Sequence, residues 1–160
     1  MTDLETYRLA EMQTLFNRLR PEARARFLRD NALKPGQEWE DIIERAIPGV
    51  EKAMRGSGID FITRKEHYLE VKGSNEARAS RFFNFSGLGA SRRKYDNLIL
   101  VGKLVSGSLV IYDVPRYDVS RVSNGGKGEM ISVDSRPHAP SAKRLERYLT
   151  SLAALAKKYG

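Results

Sequence analysis

The chain has 160 residues, the size of one ordinary domain, and 41% of them are hydrophobic, which excludes wholesale disorder. It contains no cysteine and only two histidines, which excludes disulfides, cysteine-based zinc sites and histidine-rich nuclease centres. The 28 Lys and Arg residues against 20 Asp and Glu give a formal charge of +8, which favours a polyanionic partner such as nucleic acid.

The N-terminal part of the chain is expected to be helical. Apolar residues at helical spacing predict helices over 4–20 and 22–31, so we assign 1–33 to a helical extension and consider it a candidate dimerisation surface. The N-terminus lacks the basic and apolar regions of a signal peptide, and no segment approaches a membrane-spanning length. We therefore expect a cytoplasmic protein.

A third helix is predicted to begin near Gln37, after the break at Lys34-Pro35-Gly36. Glu40 and Glu44 lie one turn apart beside its apolar stripe, so either side chain could reach a site on a neighbouring strand. Solvated glutamates on a helix surface are the ordinary alternative. The stripe consists of Trp39, Ile42, Ile43, Ala46 and Ile47.

The next segment predicts a β-hairpin. Residues 58–63 alternate between apolar and polar, a polar turn follows, and residues 67–72 form the returning strand. Because side chains alternate between the two faces of a strand, Leu69 and Val71 are expected to enter a core. A turn centred on Lys65 determines which residues of the two strands lie opposite each other.

In that register Asp60 faces Glu70, and Lys72 lies on the same face two residues later. Facing Cβ atoms in such a pair are about 5 Å apart. Two carboxylates this close repel each other unless a cation lies between them, and Mg²⁺ suits oxygen ligands. A lysine beside them could orient water or hold a phosphate oxygen, an arrangement typical of metal-assisted phosphodiester hydrolysis. A surface ion pair is the common alternative for an isolated Glu-x-Lys.

A glycine-rich loop follows over 86–91 and leads into the basic run Arg92, Arg93 and Lys94. It completes neither a dinucleotide fingerprint nor a phosphate loop. A basic cluster directly after the candidate strand suits contacts to DNA phosphates, whereas an exposed loop kept soluble by charge is the alternative. We interpret the three residues as DNA-binding candidates.

The remaining core is predicted to be β-structure. The apolar runs 97–102 and 109–114 are typical of central strands covered on both faces. The turn sequence 124–128 predicts a hairpin between 119–122 and 130–133, with Lys127 at its tip as a further DNA-contact candidate. A surface ribbon that binds no ligand is the equal alternative. Residues 139–160 predict a closing helix. The catalytic core is thus assigned to residues 34–136.

Asp60 followed by Glu70-Val71-Lys72 resembles the site of the PD-(D/E)xK nuclease superfamily. The similarity extends from about Lys34 to Val114, and Ile59 stands where the family name has proline. The resemblance implies an α/β, restriction-endonuclease-like fold: a central mixed β-sheet flanked by helices, here with extra N-terminal helices in a single domain, 1–160.

The resemblance also implies roles for individual residues. Asp60 and Glu70 would hold Mg²⁺, with Mn²⁺ as a substitute, and the carbonyl of Val71 would add a ligand. Lys72 would position the attacking water. The opening of the third helix resembles the helix that carries a further glutamate in related nucleases, which favours Glu40 over the glutamate one turn later.

The function expected from these observations is metal-dependent, restriction-type cleavage of double-stranded DNA by a homodimer, since one site cuts one strand. A repair or junction-resolving nuclease would use the same site. The sequence is also compatible with a noncatalytic DNA-binding module, with an RNA nuclease, and with a scaffold protein joined through its terminal helices.

Overall fold

The computed structural model describes residues 17–18, 20–23, 37–54, 56–89 and 94–160. The chain divides into two compact units, Met1–Pro35 and Gly36–Gly160. In the first unit, residues 17–18 and 21–23 are helical. The rest of the predicted N-terminal helices lies outside the described residues.

The second unit contains a six-stranded mixed sheet and a two-stranded sheet. The strands are β1 (Glu51–Lys52), β2 (Phe61–Ile62), β3 (Tyr68–Asn75), β4 (Phe82–Phe85), β5 (Asn97–Lys103), β6 (Leu109–Pro115), β7 (Ile131–Asp134) and β8 (Leu149–Thr150). The large sheet has the order β1-β2-β3-β5-β6-β8, and β4 pairs with β7 in the small one. Strands β3 and β5 are parallel, and the other neighbours are antiparallel. The predicted central mixed sheet is confirmed.

Four helices accompany these strands in the described part of this unit: α1 (Gln37–Ala46), α2 (Val119–Val122), α3 (Lys143–Glu146) and α4 (Leu152–Tyr159). Helix α1 carries two glutamates in its first turn, where negative charge interacts favourably with the helix dipole. Helix α4 is capped by Ser151, whose Oγ accepts a hydrogen bond of 3.1 Å from the Ala154 N–H. No helix in the described ranges combines the length and apolarity that crossing a membrane requires.

Strand β5 is buried on both faces and separates two hydrophobic clusters. Leu98 and Leu100 pack towards the small sheet, in a cluster with Phe83, Phe85, Ile131 and Val133. Ile99 and Val101 alternate with them and pack towards α1 and α4, in a cluster with Trp39, Ile43, Leu69, Val71, Leu155 and Tyr159. This alternation confirms the prediction of a central strand covered on both sides.

Two glycines allow close packing against the large sheet. A Cβ at Gly73 in β3 would lie 1.9 Å from Cδ2 of Trp39, so the indole of α1 lies directly on the strand backbone. A Cβ at Gly102 in β5 would lie 2.6 Å from the Phe83 ring on the opposite face. Helix α1 and the small sheet are therefore held against the strands at positions where a side chain would collide.

The predicted hairpin between 119–122 and 130–133 is wrong. Residues 119–122 form α2, because Val119 and Val122 are three residues apart and both enter the core from one helical face. Residues 124–126 form a single 3₁₀ turn, and β7 pairs with β4 in the register Phe83↔Val133. Strand β7 thus pairs with the aromatic strand β4, far earlier in the chain, and not with residues 119–122 as the turn sequence predicted.

The predicted continuous helix over 139–160 is also wrong. A 3₁₀ turn, Pro140–Ala142, precedes α3, and the chain then extends into the edge strand β8 before α4 begins. Leu149 and Thr150 pair with Tyr112 and Ile111 of β6. The extended segment satisfies the edge of the large sheet, which a helix could not do.

Helix α4 is attached to the sheet through the buried carboxylate of Asp113 in β6. Its oxygens accept hydrogen bonds from Asn97 Nδ2 at 2.7 Å, Lys158 Nζ at 2.8 Å and Tyr159 Oη at 2.8 Å. Burial and the neighbouring Asp113 raise the pKa of Tyr159. A buried charge with three donors is compensated, so this network fixes the end of the chain against the sheet.

Candidate active site

The hairpin formed by β2 and β3 has the predicted register. Phe61 pairs with Leu69 and Ile62 with Tyr68, so the turn is centred on residue 65. Asp60, immediately before β2, therefore comes opposite Glu70 on the strand that runs back.

Asp60 is held in place by three hydrogen bonds to its neighbours. Its N–H donates to the carbonyl of Leu69 at 2.9 Å, and its own carbonyl accepts from the N–H of Ala53 at 2.9 Å. The carboxylate oxygen Oδ2 accepts from the N–H of Val71 at 2.7 Å. The Val71 N–H of β3 thus bonds to the Asp60 side chain, where a backbone carbonyl of a paired strand would normally accept. This hydrogen bond fixes the Asp60 carboxylate at the edge of β3.

Helix α1 brings Glu40 to the same place. Trp39 packs on Gly73, and the next residue, Glu40, hydrogen-bonds with Asp60. Burial, that hydrogen bond and the negative charge of Asp60 raise the pKa of Glu40 to about 7. Glu44 is exposed instead and lies 3.5 Å from Lys52. Of the two candidates, the structure brings Glu40 to Asp60.

Glu70 and Lys72 share one face of β3, as the alternation predicted. Lys72 Nζ lies 3.3 Å from Glu70 Oε1, and the lysine and glutamate side chains are 30% and 17% exposed, respectively. Burial and the charge of Asp60 raise the pKa of Glu70 to about 7, although Lys72 opposes the shift. The charge of Asp60 therefore disfavours the charged forms of both glutamates, and the ammonium group of Lys72 lies beside Glu70.

The donor set at this point suits a hard divalent cation. All three acidic side chains offer oxygen, which Mg²⁺ prefers, and Mg²⁺ commonly takes only one or two carboxylates and keeps several waters. In the described ranges no group of three or more acidic, histidine or cysteine side chains is arranged so that it could hold a metal ion. Glu70 is turned to Lys72 and Glu40 to Asp60, so the site consists of two side-chain pairs.

Val71 contributes through its backbone. Its side chain is buried in the cluster under α1 and α4, while its N–H points to Asp60. Because the N–H and C=O of a strand residue lie on the same side, the Val71 carbonyl is directed to that edge too. The role of this carbonyl as a backbone ligand stays a prediction.

The predicted DNA-contact residues are placed in part. Arg92 and Arg93 lie outside the described residues. Lys94 is exposed, and its Cδ would be 3.5 Å from a Cβ on Gly58, in the loop that leads into Asp60. Lys127 is exposed after the 3₁₀ turn that replaces the predicted hairpin, so it is not at the tip of a β-ribbon.

Comparison with solved structures identifies a fold neighbour. The structure resembles that of the bacterial homing endonuclease I-Ssp6803I. The likeness has a TM-score of 0.50, covers 78% of this chain and 90% of the neighbour, and comes with 19% sequence identity. The shared fold is therefore that of a known nuclease. No protein-family model matches the sequence, and no curated protein matches it.

Two neighbours of the site were not predicted. Lys52 in β1 is close enough to Glu40 to lower its pKa, opposing the larger effects described above. Gly87 lies beside the catalytic candidate on β3, since a Cβ there would be 3.8 Å from Lys72 Nζ. The glycine-rich loop was a recognisable signal in the sequence, but its contact with Lys72 depends on the long-range placement of β4.

Proposed function

We propose that the protein is a divalent-metal-dependent DNA endonuclease of the PD-(D/E)xK type. The observation that carries the proposal is the convergence of Glu40, Asp60 and Glu70 with Lys72 at the edge of one strand. Two glutamates whose pKa values are raised by burial and by a shared aspartate are costly to the fold, and such clusters are typical of functional sites.

In this proposal each residue of the site has its own role. Asp60 and Glu70 would hold the cation, with the carbonyl of Val71 as a third ligand and Glu40 next to Asp60. Mg²⁺, or Mn²⁺ in its place, would supply Lewis-acid activation of water and phosphate when bound. Lys72 would orient the attacking water and offset negative charge that develops on the phosphate. With the cation bound, Glu70 would exchange its ion pair with Lys72 for the metal, which frees the ammonium group.

Three further observations support DNA as the substrate. The net charge of +8 favours a phosphate backbone. Lys94 lies beside the loop that enters the site. The fold neighbour is a homing endonuclease. Restriction-type double-strand cleavage by a homodimer is our first proposal, and a homing-type role is the second candidate because of that neighbour.

The decisive experiment incubates the protein with supercoiled plasmid in Mg²⁺, Mn²⁺ or EDTA. The account predicts nicked and linear plasmid with either metal and none in EDTA. Lys72→Ala should abolish cleavage while circular dichroism and melting temperature stay close to wild type. Lys157→Ala is the matched control, because it removes an exposed lysine of α4 that has no proposed role in the chemistry.

Binding of plasmid without nicking under every metal would contradict the proposal and favour a noncatalytic DNA-binding module. Cleavage of RNA but not DNA would favour the RNA nuclease. The dimer is tested separately by light scattering after size exclusion. A single protein copy per complex, with and without DNA, would contradict it.

A further inference from the structure

A cavity lined by three arginines lies beside the C-terminal end of β3. It has a volume of about 560 Å³, which is within the range that holds a small ligand. Arg78, Arg81 and Arg136 surround it, and we refer to it as the arginine pocket. Val105 and Pro137 add apolar surface to its wall.

Arg81 adopts a backbone conformation that ordinarily belongs to glycine. Its φ is +58°, in the left-handed region that an arginine rarely occupies. The conformation is imposed on both sides: the Arg81 N–H donates to Ala77 O at 2.7 Å, and the Arg81 carbonyl accepts from Ser135 N at 2.8 Å. Glycine would fit this backbone conformation without strain, so the Arg81 side chain can be removed by substitution without distorting the chain.

Fixed acidic groups lie next to the arginines. Asp134 is buried and binds Arg136 through both oxygens, with Nε–Oδ1 at 3.0 Å and Nη2–Oδ2 at 2.9 Å. Glu76 accepts a hydrogen bond from the Val105 N–H at 3.1 Å. The positive charge of Arg81 lowers the pKa of both acids, after the larger effects of their hydrogen bonds.

The charges at the pocket leave a surplus that suits one anion. Three arginines against two carboxylates give a net charge of +1 (3 − 2), and a phosphodiester carries a single negative charge. Arg78 lies on the loop between β3 and β4. Serine hydroxyls at the pocket wall and apolar atoms beside them complete a surface that could contact both phosphate and sugar.

Strand β4 links the arginine pocket to the candidate active site. Arg81 immediately precedes β4, and Gly87, two residues after its end, lies beside Lys72. Along β3, Lys72 and Glu76 are four residues apart, which corresponds to about 13 Å. The arginine pocket and the candidate active site are therefore close enough to contact the same DNA strand.

We propose that the arginine pocket binds a backbone phosphate of the DNA substrate, on the same strand as the phosphate at Lys72. The proposal rests on the proposed action on DNA and extends it to a second contact on the same substrate strand. Arg81 and Arg78 hold the phosphate, Arg136 is oriented by Asp134, and the attached sugar packs on Val105 and Pro137. The pocket thereby fixes the register of the strand relative to the site.

The test is fluorescence anisotropy of a labelled random-sequence DNA duplex in EDTA, with Arg81→Gly, Arg81→Lys and the control Lys157→Ala. Arg81→Gly removes the guanidinium and suits the positive φ, so its fold should be intact by circular dichroism. We expect its Kd to rise by about fivefold to tenfold and the slope of log Kd against log salt to fall by about one. Arg81→Lys should stay within about twofold of wild type. Lys157→Ala removes one exposed charge on α4, which packs in the other hydrophobic cluster from the small sheet, and should change little.

Equal Kd values for Arg81→Gly and Lys157→Ala would overturn the proposal, and so would a wild-type protein that binds no duplex. If Arg81→Gly does not fold, Arg78→Ala is measured instead with the same expected loss. Plasmid cleavage in Mg²⁺ separates this proposal from the proposed function. If the wild-type protein cleaves plasmid and Arg81→Gly binds DNA as tightly as wild type, the proposal for the arginine pocket fails and the proposed function stands. If the wild-type protein does not cleave and Arg81→Gly binds DNA more weakly than wild type, the proposed function fails and the arginine pocket is supported.

Discussion

Replacing Glu70 by glutamine should stabilise the metal-free protein, although Glu70 lies within its candidate active site. The pKa of Glu70 is raised from 4.5 to about 7, mainly by burial and then by Asp60. The folded state therefore binds more protons than the unfolded state between these two values, and wild-type stability falls as pH rises through that window. Glutamine keeps the shape of the side chain and removes the charge.

The magnitude follows from the same shift. A change in pKa from 4.5 to about 7 corresponds to an upper limit of about 3 kcal/mol. The side chain is 17% exposed and loses its ion pair with Lys72 in the variant, so we expect a net gain of about 1–2 kcal/mol. For a domain of this size, that gain raises the melting temperature by about 3–6 °C.

Differential scanning calorimetry in EDTA tests this expectation at about pH 8 and about pH 5. The gain should be full above about pH 7, because wild-type Glu70 is then charged, and small below about pH 5, where it is largely protonated in the folded state. Glu44→Gln, on the exposed side of α1, is the matched control variant. A destabilised Glu70→Gln protein at high pH, or an equal gain at both pH values, would refute the claim that the charged form of Glu70 is unfavourable in the folded protein.

Other variants probe the fold and the roles of single residues. Gly73→Ala should lower the free energy of unfolding by about 2–3 kcal/mol in urea titrations, because its Cβ meets the Trp39 indole; a neutral result would contradict that packing. Asp113→Ala should cost about 3 kcal/mol by leaving Asn97 and Tyr159 unpaired, whereas Lys158→Ala should cost under about 1 kcal/mol; similar costs would contradict the buried network. Glu40→Gln should slow plasmid cleavage by about 10- to 100-fold while Glu44→Gln cleaves normally, and the reverse order would assign the helical acid to Glu44.

The central hairpin and the inner strands could be predicted because local pattern determines them. Alternation over 67–72 and the turn at residue 65 determine which side chains share a face, and the register 61↔69 follows from the same geometry. The apolar runs that became β5 and β6 needed no partner to be recognised, since each is largely buried on both faces. The pairing of Asp60 with Glu70 was therefore accessible from sequence.

Long-range pairing accounts for what the sequence could not predict. The turn 124–128 favours a local hairpin, but β7 pairs with β4, which lies far earlier in the chain, and the preceding valines turn into the core as α2. Apolar residues of the β8 segment continue the helical spacing of the sequence on either side, yet the segment is extended and pairs with β6 at the edge of the large sheet. Gly73 admits the Trp39 indole, and this role depends on where α1 packs on the sheet. The arginine pocket joins three chain segments and left no local signal.

Titration of the metal-free protein with Mn²⁺, followed by electron paramagnetic resonance, tests the central claim most directly. The account predicts saturable binding to wild type, a loss of affinity of at least about tenfold in Asp60→Asn, and unchanged binding in Glu44→Gln. Equal Mn²⁺ affinity of wild type and Asp60→Asn, or no binding by wild type, would contradict the account.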